Sequence, residues 1–428
     1  MRVAFYTLGC KVNTYETESL AELFLNEGYK KVSHKEYADV YVINTCSVTN
    51  SGDSKSRKVI RQLIKRNPEA VIAVMGCYSQ LSADEVFSID GVDIVIGTIH
   101  REQLIGLVKG VLNDRQRINN VQDVSRYREF DEVKVTNFTE STRAFLKIQD
   151  GCNNFCSYCI IPFARGPVRS RNSKSVIDEA KELVSNGYQE IVLTGIHTGG
   201  YGSDLEDYSL FDLLSELSLI TDLNRIRISS IEINELTDDI LQLIASNQKF
   251  AKHLHIPLQS GSDDVLIRMR RKYNKQDFMD KIKHIRSLIP DIAITTDVIV
   301  GFPGETDEMF NEMYEFIKKI EFSEMHVFPY SMRSGTKAAD MKNQINGIVK
   351  SFRVNELINL SGLLASRYIE KFDKLSVIFE TSDKDFTYGH SENYVYVKTL
   401  RDESLHNTMV DVKLITHTYK NCLCEVVK

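Results

Sequence analysis

The first hundred residues alternate between short apolar runs, rich in β-branched residues, and longer stretches in which apolar residues recur every three or four positions. Such alternation of strand and helix is typical of a parallel sheet covered by helices. The predicted strands are 2–8, 40–45, 71–75 and 94–96, and the predicted helices include 17–27 and 55–66. We therefore expect an amino-terminal, Rossmann-like parallel α/β domain over residues 1–115, in an α/β multidomain chain.

The same alternation returns over residues 141–370. The predicted strands there are 144–149, 190–194, 225–229, 253–257, 292–300 and 324–328. The predicted helices are 175–186, 210–219, 238–245, 275–288 and 307–320. Six strand–helix units are too few for a closed eight-stranded barrel. The pattern therefore predicts a partial (βα)6 barrel, whose chemistry should lie at the carboxyl ends of its strands.

Two further segments complete the organisation. Residues 116–140 are polar and aperiodic, and we interpret them as a connection that passes through an edge element at 132–136. From residue 371 onward the pattern predicts short strands only, at 375–380, 394–398, 408–415 and 422–427. This favours a small, OB-like β-barrel over residues 371–428.

Composition sets limits on the class of protein. The chain has 428 residues and a net charge of −6, so binding to nucleic acid would have to use local basic patches. No apolar run approaches the length of a membrane span, and the sequence enters a predicted strand at once, without room for a signal peptide. We expect a cytoplasmic protein with no membrane partner, in which cysteines serve metals or catalysis rather than disulfides.

Six of the eight cysteines fall into two triplets. Cys152, Cys156 and Cys159 lie close together after a predicted strand, whereas the early cysteines each follow a different predicted strand. The early triplet consists of Cys10, Cys46 and Cys77. Because the carboxyl ends of parallel strands meet at one edge of a sheet, we expect the early three to converge.

Three thiolates cannot complete a structural zinc site, which needs four ligands. They can hold three irons of a [4Fe–4S] cluster and leave the fourth iron open to a substrate. A zinc knuckle remains an alternative for the loop triplet, and burial as small apolar residues remains one for the early triplet. We expect Cys422 and Cys424, in a terminal strand, to be packing residues.

The loop triplet, with Tyr158 just before its last cysteine, resembles that of the radical S-adenosylmethionine (SAM) superfamily. The resemblance implies a [4Fe–4S] cluster whose open iron binds the methionine end of SAM, with Tyr158 beside the adenine. It also implies SAM contacts at the ends of later strands. These candidates are Thr194 and Gly195 for the methionine end, Ser229 and Glu232 for the ribose, and Val300 and Gly301 for the adenine.

The stretches around Cys10, Cys46 and Cys77 resemble the amino-terminal domain of the methylthiotransferases, and this resemblance runs to the end of the chain. It implies that the early cysteines hold an auxiliary [4Fe–4S] cluster, which carries the sulfur to be inserted. It implies that the terminal barrel, with Tyr388, His390, Tyr394 and Tyr396, is a tRNA-binding TRAM domain. A reductant protein of the flavodoxin or ferredoxin type and a sulfur donor are the further partners it implies.

Three methylthiotransferase subfamilies differ in substrate. The stretches 9–13, 46–49 and 161–171 look like those of enzymes that act on tRNA carrying N6-threonylcarbamoyladenosine just after the anticodon. The implied reaction inserts methylthio at C2 of that base. The alternatives are an enzyme acting on isopentenyladenosine in tRNA, one acting on an aspartate of a ribosomal protein, and a non-catalytic iron–sulfur or zinc RNA-binding module.

Local charge is consistent with an RNA substrate. Three basic groups are candidates for phosphate contacts, although charge runs of this kind are more often solvated faces. They are Lys55, Arg57, Lys58, Arg61, Lys65 and Arg66; Arg268, Arg270, Arg271 and Lys272; and Arg165, Arg169 and Arg171. His197, His253 and His255 lie near predicted strand ends, where they either support the site or simply pack.

Overall fold

Residues 1–120 form a parallel sheet with helices on both faces. The structure is a computed structural model that describes residues 1–138 and 142–427, without the side chain of Asn50. The elements of this part are β1 (Arg2–Thr7), α1 (Lys11–Asn26), β2 (Lys30–Val32), β3 (Val40–Thr45), α2 (Asn50–Arg66), β4 (Val71–Gly76), α3 (Cys77–Leu81), α4 (Ala83–Phe87), β5 (Ile94–Ile96), α5 (Leu104–Asp114) and β6 (Ile118–Asn120). The strand order is β2-β1-β3-β4-β5-β6, and all neighbours are parallel. The predicted Rossmann-like domain is confirmed.

The central strands of this sheet are buried on both faces. In β3, Val40 and Val42 face the core beneath α1 and α5, whereas Tyr41 and Ile43 face the core beneath α2. Burial on both sides explains why these strands appear in the sequence as continuous apolar runs. Because β1, β3 and β4 are adjacent and parallel, the residues that follow them lie at one edge of the sheet.

The connection between the first two domains differs from the prediction. The edge element expected at 132–136 is wrong, because that segment is irregular; the edge strand is β6, which pairs with β5 at 118–120. Side chains, rather than a neighbouring strand, accept hydrogen bonds from the backbone here: Val135 N–H donates to Glu179, and Thr136 N–H donates to Glu22. Residues 139–141, where we predicted the domain boundary, lie outside the described residues.

The central region is an open wall of six parallel strands. Its elements are β7 (Arg143–Asp150), α6 (Ile161–Arg165), β8 (Arg169–Ser170), α7 (Ser173–Ser185), β9 (Glu190–Gly195), α8 (Leu210–Ser218), β10 (Arg225–Ile228), α9 (Asp238–Ser246), β11 (His253–His255), α10 (Asp263–Met269), α11 (Lys275–Leu288), β12 (Ala293–Val300), α12 (Asp307–Ile320), β13 (Glu324–Pro329) and α13 (Gly347–Ile369). The sheet β10-β9-β7 meets the sheet β11-β12-β13 through single parallel bridges, such as Ser230–His255. This confirms the predicted partial barrel.

Side chains of the central strands alternate between two environments. Residues such as Ile191, Ile226 and Leu254 enter the large apolar core beneath the helices. The residues between them point the other way, because successive side chains of a strand face opposite sides. We call that second side the inner face; it carries Arg143, Glu190, Arg225, Arg227, His253, His255, Asp297 and His326.

The carboxyl-terminal segment is a closed five-stranded barrel, as predicted. Its strands are β14 (Lys374–Ser382), β15 (Phe386–Ser391), β16 (Tyr396–Leu400), β17 (Met409–Leu414) and β18 (Cys422–Val426), closed in the order β14-β15-β16-β18-β17. Cys422 and Cys424 are buried in its core, as expected for packing residues. In the described part of the chain, no helix combines the length and the apolar character that a membrane crossing requires.

Candidate active site

The early cysteines lie at the carboxyl edge of the amino-terminal sheet. Cys10 caps the start of α1, Cys46 directly follows β3, and Cys77 opens α3 directly after β4. The backbone there is tight: at Gly76, where φ is 101°, an added Cβ would be 2.5 Å from the carbonyl oxygen of Thr45. A larger residue than glycine would therefore displace the strand end that presents Cys77. We call these three residues the sheet trio.

The three cysteines of the sheet trio differ in solvent exposure. Cys10 is exposed, Cys46 is half-buried and Cys77 is buried. Burial raises the pKa of Cys77 to about 12 and also raises the pKa of Cys46, and each thiol is close enough to affect the charge of the others. The thiols are therefore gathered with one side open, and burial favours their protonated form unless a cation binds.

The other three cysteines, the loop trio, lie between β7 and α6. Burial raises the pKa of Cys152 to about 11 and that of Cys159 to about 12. The loop is folded onto itself, since Cys152 N–H donates to Gly166 O and Cys159 N–H to Cys156 O, both at 3.0 Å. A recess of about 140 Å³ opens beside Cys156 and is lined by Asn154, Glu232, Arg271 and Tyr273 among others.

Each trio fits an iron–sulfur cluster. Every described cysteine is a free thiol, and three thiolates leave one iron of a four-iron cluster without a protein ligand. One guanidinium is aimed at each trio: Arg165 Nε lies 3.2 Å from Cys77 Sγ, and Arg271 Nη1 lies 3.4 Å from Cys156 Sγ. These cations offset the negative charge that thiolates and sulfide would bring.

The chain that follows the loop trio reaches the sheet trio across the seam between the first domain and the central wall. Arg165, at the end of α6, contacts Cys77 of the sheet trio and is fully buried, and α6 itself packs on α3. Its guanidinium also donates to Glu16 Oε2 of α1 at 3.1 Å and to Asp150 Oδ2 of β7 at 3.3 Å. The segment that follows the loop trio is therefore bonded directly to a residue of the sheet trio.

A buried ion network fixes this seam. Glu16 is in ion pairs with Arg101, Lys147 and Arg165, and Lys147 Nζ also lies 2.6 Å from Asp150. Burial alone would raise the pKa of Glu16, but its three cationic partners lower it to about 2. The carboxylate therefore remains ionised, and the seam is held by charge pairs that solvent does not reach.

One basic group predicted as a phosphate contact is wrong. Arg165, Arg169 and Arg171 are each almost fully buried. Arg169 pairs with Asp150, and Arg171 pairs with Glu132 and Glu179. Sequence proximity among the arginines could not reveal these partners, because each acidic residue lies on a different element or loop from the arginine that it pairs with.

The candidate SAM contacts lie at the carboxyl ends of β9, β10 and β12, around the loop trio. Tyr158 is half-buried and packs in an apolar group that includes Phe302 and Ile299. Ser229 Oγ lies 2.9 Å from Thr198 Oγ1, and Glu232 is in an ion pair with Arg271, the residue that contacts Cys156.

The remaining candidate SAM contacts, at the ends of β9 and β12, would contact a ligand through their backbone rather than through a side chain. Thr194 is buried, and Gly195 packs so closely on Gln149 that an added Cβ would be 2.9 Å from its Oε1. Val300 points into the apolar core, and Gly301 N–H donates to Glu305 at 2.8 Å. Sequence reasoning did not find Ile299 or Gln149, although the strand alternation placed Ile299 on the same face as Asp297.

The histidines near the strand ends have polar or aromatic partners. His253 is buried against the ring of Tyr394, with ring centroids 4.6 Å apart, and burial lowers its pKa. His255 Nε2 lies 3.3 Å from Asp297 Oδ2, and His197 pairs with Glu235. His253 is therefore a neutral packing group, and the other two each lie beside a carboxylate.

The terminal barrel closes the amino-terminal end of the central wall. Arg227 donates to Ser391 O at 3.1 Å, Arg225 donates to Ser376 O at 3.1 Å, and Arg227 also lies over the ring of Tyr394. Tyr394 is thus enclosed between domains. The stacked pair Tyr388 and Tyr396, with centroids 5.6 Å apart, is the more accessible aromatic surface of this barrel.

A basic surface lies on helix α2. Arg57, Lys58, Arg61 and Lys65 line a shallow depression on this helix, together with Ser54 and Gln62. Arg57 is partly engaged, since its guanidinium donates to Tyr78 and pairs with Glu85. The helix presents several cations to solvent on the same domain as the sheet trio.

Comparisons with known families agree with this architecture. Residues 146–317 match the radical SAM superfamily, and residues 2–97 match a family described as uncharacterized protein family UPF0004. A structure of the radical SAM methyltransferase TsrM from Kitasatospora setae, with cobalamin and a [4Fe-4S] cluster bound, aligns with a TM-score of 0.60 over 79% of this chain and 74% of that one. At 15% identity, this similarity concerns the fold alone.

Two curated relatives align over nearly the whole chain. Threonylcarbamoyladenosine tRNA methylthiotransferase MtaB of Bacillus subtilis (strain 168) is 50% identical over 425 residues, which cover 97% of this chain and 94% of the relative. The tRNA-2-methylthio-N(6)-dimethylallyladenosine synthase of Clostridium botulinum (strain Loch Maree / Type A3) is 34% identical over 421 residues, or 96% of this chain and 93% of the relative.

Proposed function

We propose a specific reaction for this chain, which belongs to the methylthiotransferase family of radical SAM enzymes: it inserts a methylthio group at C2 of N6-threonylcarbamoyladenosine in tRNA. The observation that carries the proposal is the presence of two cysteine trios, with Arg165, from the helix that follows the loop trio, in contact with Cys77 of the sheet trio. The substrate follows from the 50% identity to a relative that is named for this base.

The protein's own part in this reaction is to hold and orient the two clusters and SAM. We assign one [4Fe–4S] cluster to Cys152, Cys156 and Cys159, and an auxiliary one to Cys10, Cys46 and Cys77. When bound, these clusters and SAM supply the radical and sulfur chemistry. Arg165 and Arg271 offset the charge beside the thiolates, since each lies within 3.4 Å of a cysteine sulfur.

The residues around the loop trio are suited to hold SAM. Tyr158 and Ile299 offer an apolar wall, and Gly195 and Gly301 stand where the neighbouring side chains of Gln149 and Lys350 leave no room for a Cβ. Ser229 and Glu232, at the end of β10, offer a hydroxyl and a carboxylate for polar groups of the ligand. The buried seam beneath Arg165 excludes water from the side of the site that faces the sheet trio.

The tRNA partner needs accessible surface beyond the site. The cations of α2 and the ring pair Tyr388 and Tyr396 provide phosphate contacts and a stacking platform for unpaired bases. A reductant protein of the flavodoxin or ferredoxin type and a sulfur donor complete the proposed partners. A tRNA substrate is consistent with a cytoplasmic location.

The test is analysis of tRNA nucleosides by mass spectrometry from a strain that lacks this gene. Loss of 2-methylthio-N6-threonylcarbamoyladenosine, with restoration by the wild-type gene, is the expected result. Methylthiolated isopentenyladenosine serves as the internal control and should be unchanged. An unchanged level of the threonylcarbamoyl product, or loss of the isopentenyl product instead, would overturn the assignment of substrate.

A second measurement separates an enzyme from a non-catalytic iron–sulfur or zinc module. Anaerobic reconstitution should give two four-iron clusters per chain and deoxyadenosine on reduction with SAM. A single cluster, or bound zinc with no deoxyadenosine, would favour the non-catalytic alternative.

A further inference from the structure

Lys11 occupies an unusual position beside the sheet trio. It directly follows Cys10 and is the first residue of α1, which packs on β7 and β9 of the central wall. Its side chain is exposed to solvent, yet Arg143, Arg227 and Glu190 of the inner face are close enough to act on its charge. The ammonium group therefore lies where the first domain packs on the central wall, within electrostatic reach of the inner face.

The neighbouring cations are already paired. Arg143 lies 3.2 Å from Glu380, and Glu190 is shared between Arg227 at 2.6 Å and Arg225 at 3.4 Å. Among the residues that the structure describes, none forms a hydrogen bond or an ion pair with the ammonium of Lys11. The charged groups named here therefore include more cations than anions, and Lys11 is the cation among them without a described carboxylate partner.

An ammonium surrounded by other cations is electrostatically unfavourable unless an anion joins it. The base named in the proposed reaction carries such an anion, because the threonyl part of its N6 substituent ends in a free carboxylate. The dimethylallyl substituent on which the Clostridium relative acts, by its printed name, has no charge at all. A cation at this place would therefore separate the two kinds of substrate.

We propose that Lys11 binds the carboxylate of the N6 substituent and so determines which modified adenosine the enzyme accepts. This inference rests on the proposed function. N6 is the exocyclic nitrogen on C6 of adenine, and C6 and C2 are the two ring carbons bonded to N1. A substituent anchored at Lys11, beside Cys10, thereby holds the C2 edge of the base against the sheet trio. Lys11 is a specificity-determining and positioning residue that takes no part in bond making.

The test compares anticodon stem-loop RNAs that differ only in charge at N6. One carries threonylcarbamoyl, the second carries its neutral methyl ester, and the third is unmodified adenosine. Binding is measured by fluorescence anisotropy for the wild type, Lys11→Met, Lys11→Arg and Lys181→Met. Lys181 is an exposed lysine of α7 that belongs to neither trio, and it is the matched control.

Lys11→Met should weaken binding of the carboxylate RNA by about tenfold to a hundredfold, because a hydrogen bond to a charged group is lost. The same variant should bind the ester RNA and the unmodified RNA as the wild type does. Lys11→Arg should retain most of the preference, and Lys181→Met all of it. Full iron content and deoxyadenosine formation in Lys11→Met will show that the cluster next to it is intact.

Failure of this inference is distinguishable from failure of the proposed function. If the wild type does not distinguish the carboxylate RNA from unmodified RNA, the proposed substrate is wrong. The other outcome is that the wild type distinguishes them while Lys11→Met weakens the binding of all three RNAs equally, or of none. In that case Lys11 does not bind the carboxylate.

Discussion

The roles proposed for the two cysteine trios are different, and substitution of single cysteines can separate them. Cys77 belongs to the sheet trio and is the thiol that Arg165 contacts, whereas the loop trio does not depend on it for its own fold. Cys77→Ala should abolish methylthio insertion but leave at least half of the deoxyadenosine formation. Both products can be measured by mass spectrometry in one reaction.

Cys424→Ala is the control for that substitution. Cys424 is also a buried thiol, but it packs in the core of the terminal barrel, so its removal should cost some stability and neither activity. Equal loss of both products in Cys77→Ala would mean that the two trios do not have separate roles.

A second prediction at the residue scale concerns Glu190 and pH. Burial would raise the pKa of this carboxyl, but Arg227, Arg225 and Arg143 lower it to about 2. Since the folded-state pKa lies below the value of 4.5 for an unperturbed glutamate, the stabilisation is complete above about pH 4.5 and is lost as pH falls toward 2. Glu190 should therefore stabilise the protein fully at neutral pH.

Urea denaturation of the wild type and Glu190→Gln tests this. The substitution leaves Arg227 and Arg225 without their carboxylate and should lower the free energy of unfolding by about 3–5 kcal/mol at pH 7. The difference in the free energy of unfolding between the wild type and Glu190→Gln should become smaller as pH falls below 4.5. A difference that stays constant down to pH 3 would show that the charge of Glu190 does not contribute.

At the scale of elements, helix α2 carries the clearest electrostatic prediction. Arg61 and Lys65 lie on its solvent-facing side beside Arg57 and Lys58. Arg61→Ala with Lys65→Ala should make the negative slope of log affinity against log salt concentration less steep by about 1.4–1.8, because each phosphate contact contributes about 0.7–0.9. Lys181→Ala with Lys174→Ala, on α7, is the matched control.

The measurement is tRNA binding by the apo-protein across a range of salt concentrations. A weaker affinity with an unchanged salt slope would mean that α2 does not face the phosphate backbone. The prediction is restricted to α2 because Arg165, Arg169 and Arg171, which appeared equally basic in the sequence, are buried in ion pairs.

Element prediction from sequence was successful where packing is regular. The central strands and helices α11 and α12 appear where the apolar periodicity placed them, because one face of each is buried in a continuous core. Helix α13 was not predicted: Leu357 and Leu364 are buried, but Ile348 and Phe352 are exposed, so its apolar residues do not define a single face. The start of α1 was placed too late because its first turn buries polar residues, Asn13 and Glu16, at the seam.

Part of the candidate site could also be predicted from the sequence. The convergence of Cys10, Cys46 and Cys77 follows from the order of parallel strands, which local pattern can indicate. The contacts of Arg165 and Arg271 with cysteine sulfur could not be foreseen, since they join residues 88 and 115 positions apart. The pairing of charges at the seam depends on the docking of two domains, and no local pattern encodes that.

At the scale of the whole molecule, the three domains are joined by charge as well as by apolar packing. The seam around Glu16 joins the first domain to the central wall, and Arg225 and Arg227 join that wall to the terminal barrel. Tyr368 and Ile369 of α13 also pack in the core of the terminal barrel. The terminal barrel is therefore part of the fold and not a detachable RNA-binding module.

Truncation after residue 370 should accordingly destabilise the remaining chain. Removal of the barrel exposes Tyr368 and Ile369 and leaves Arg225 and Arg227 without their carbonyl partners. We expect aggregation or a melting temperature lowered by several degrees in differential scanning calorimetry. Tyr396→Ala is the comparison variant and should reduce tRNA affinity without lowering the melting temperature. A truncated chain as stable as the full protein would contradict this view.

The central claim is that one adenine base lies between the two trios, with its C2 edge toward both. The most direct test uses tRNA in which C2 of N6-threonylcarbamoyladenosine carries deuterium, followed by mass spectrometry of the deoxyadenosine and of the modified base. The claim predicts deuterium in deoxyadenosine in an amount that matches the methylthio product. Deoxyadenosine that remains unlabelled while methylthio product accumulates would contradict it.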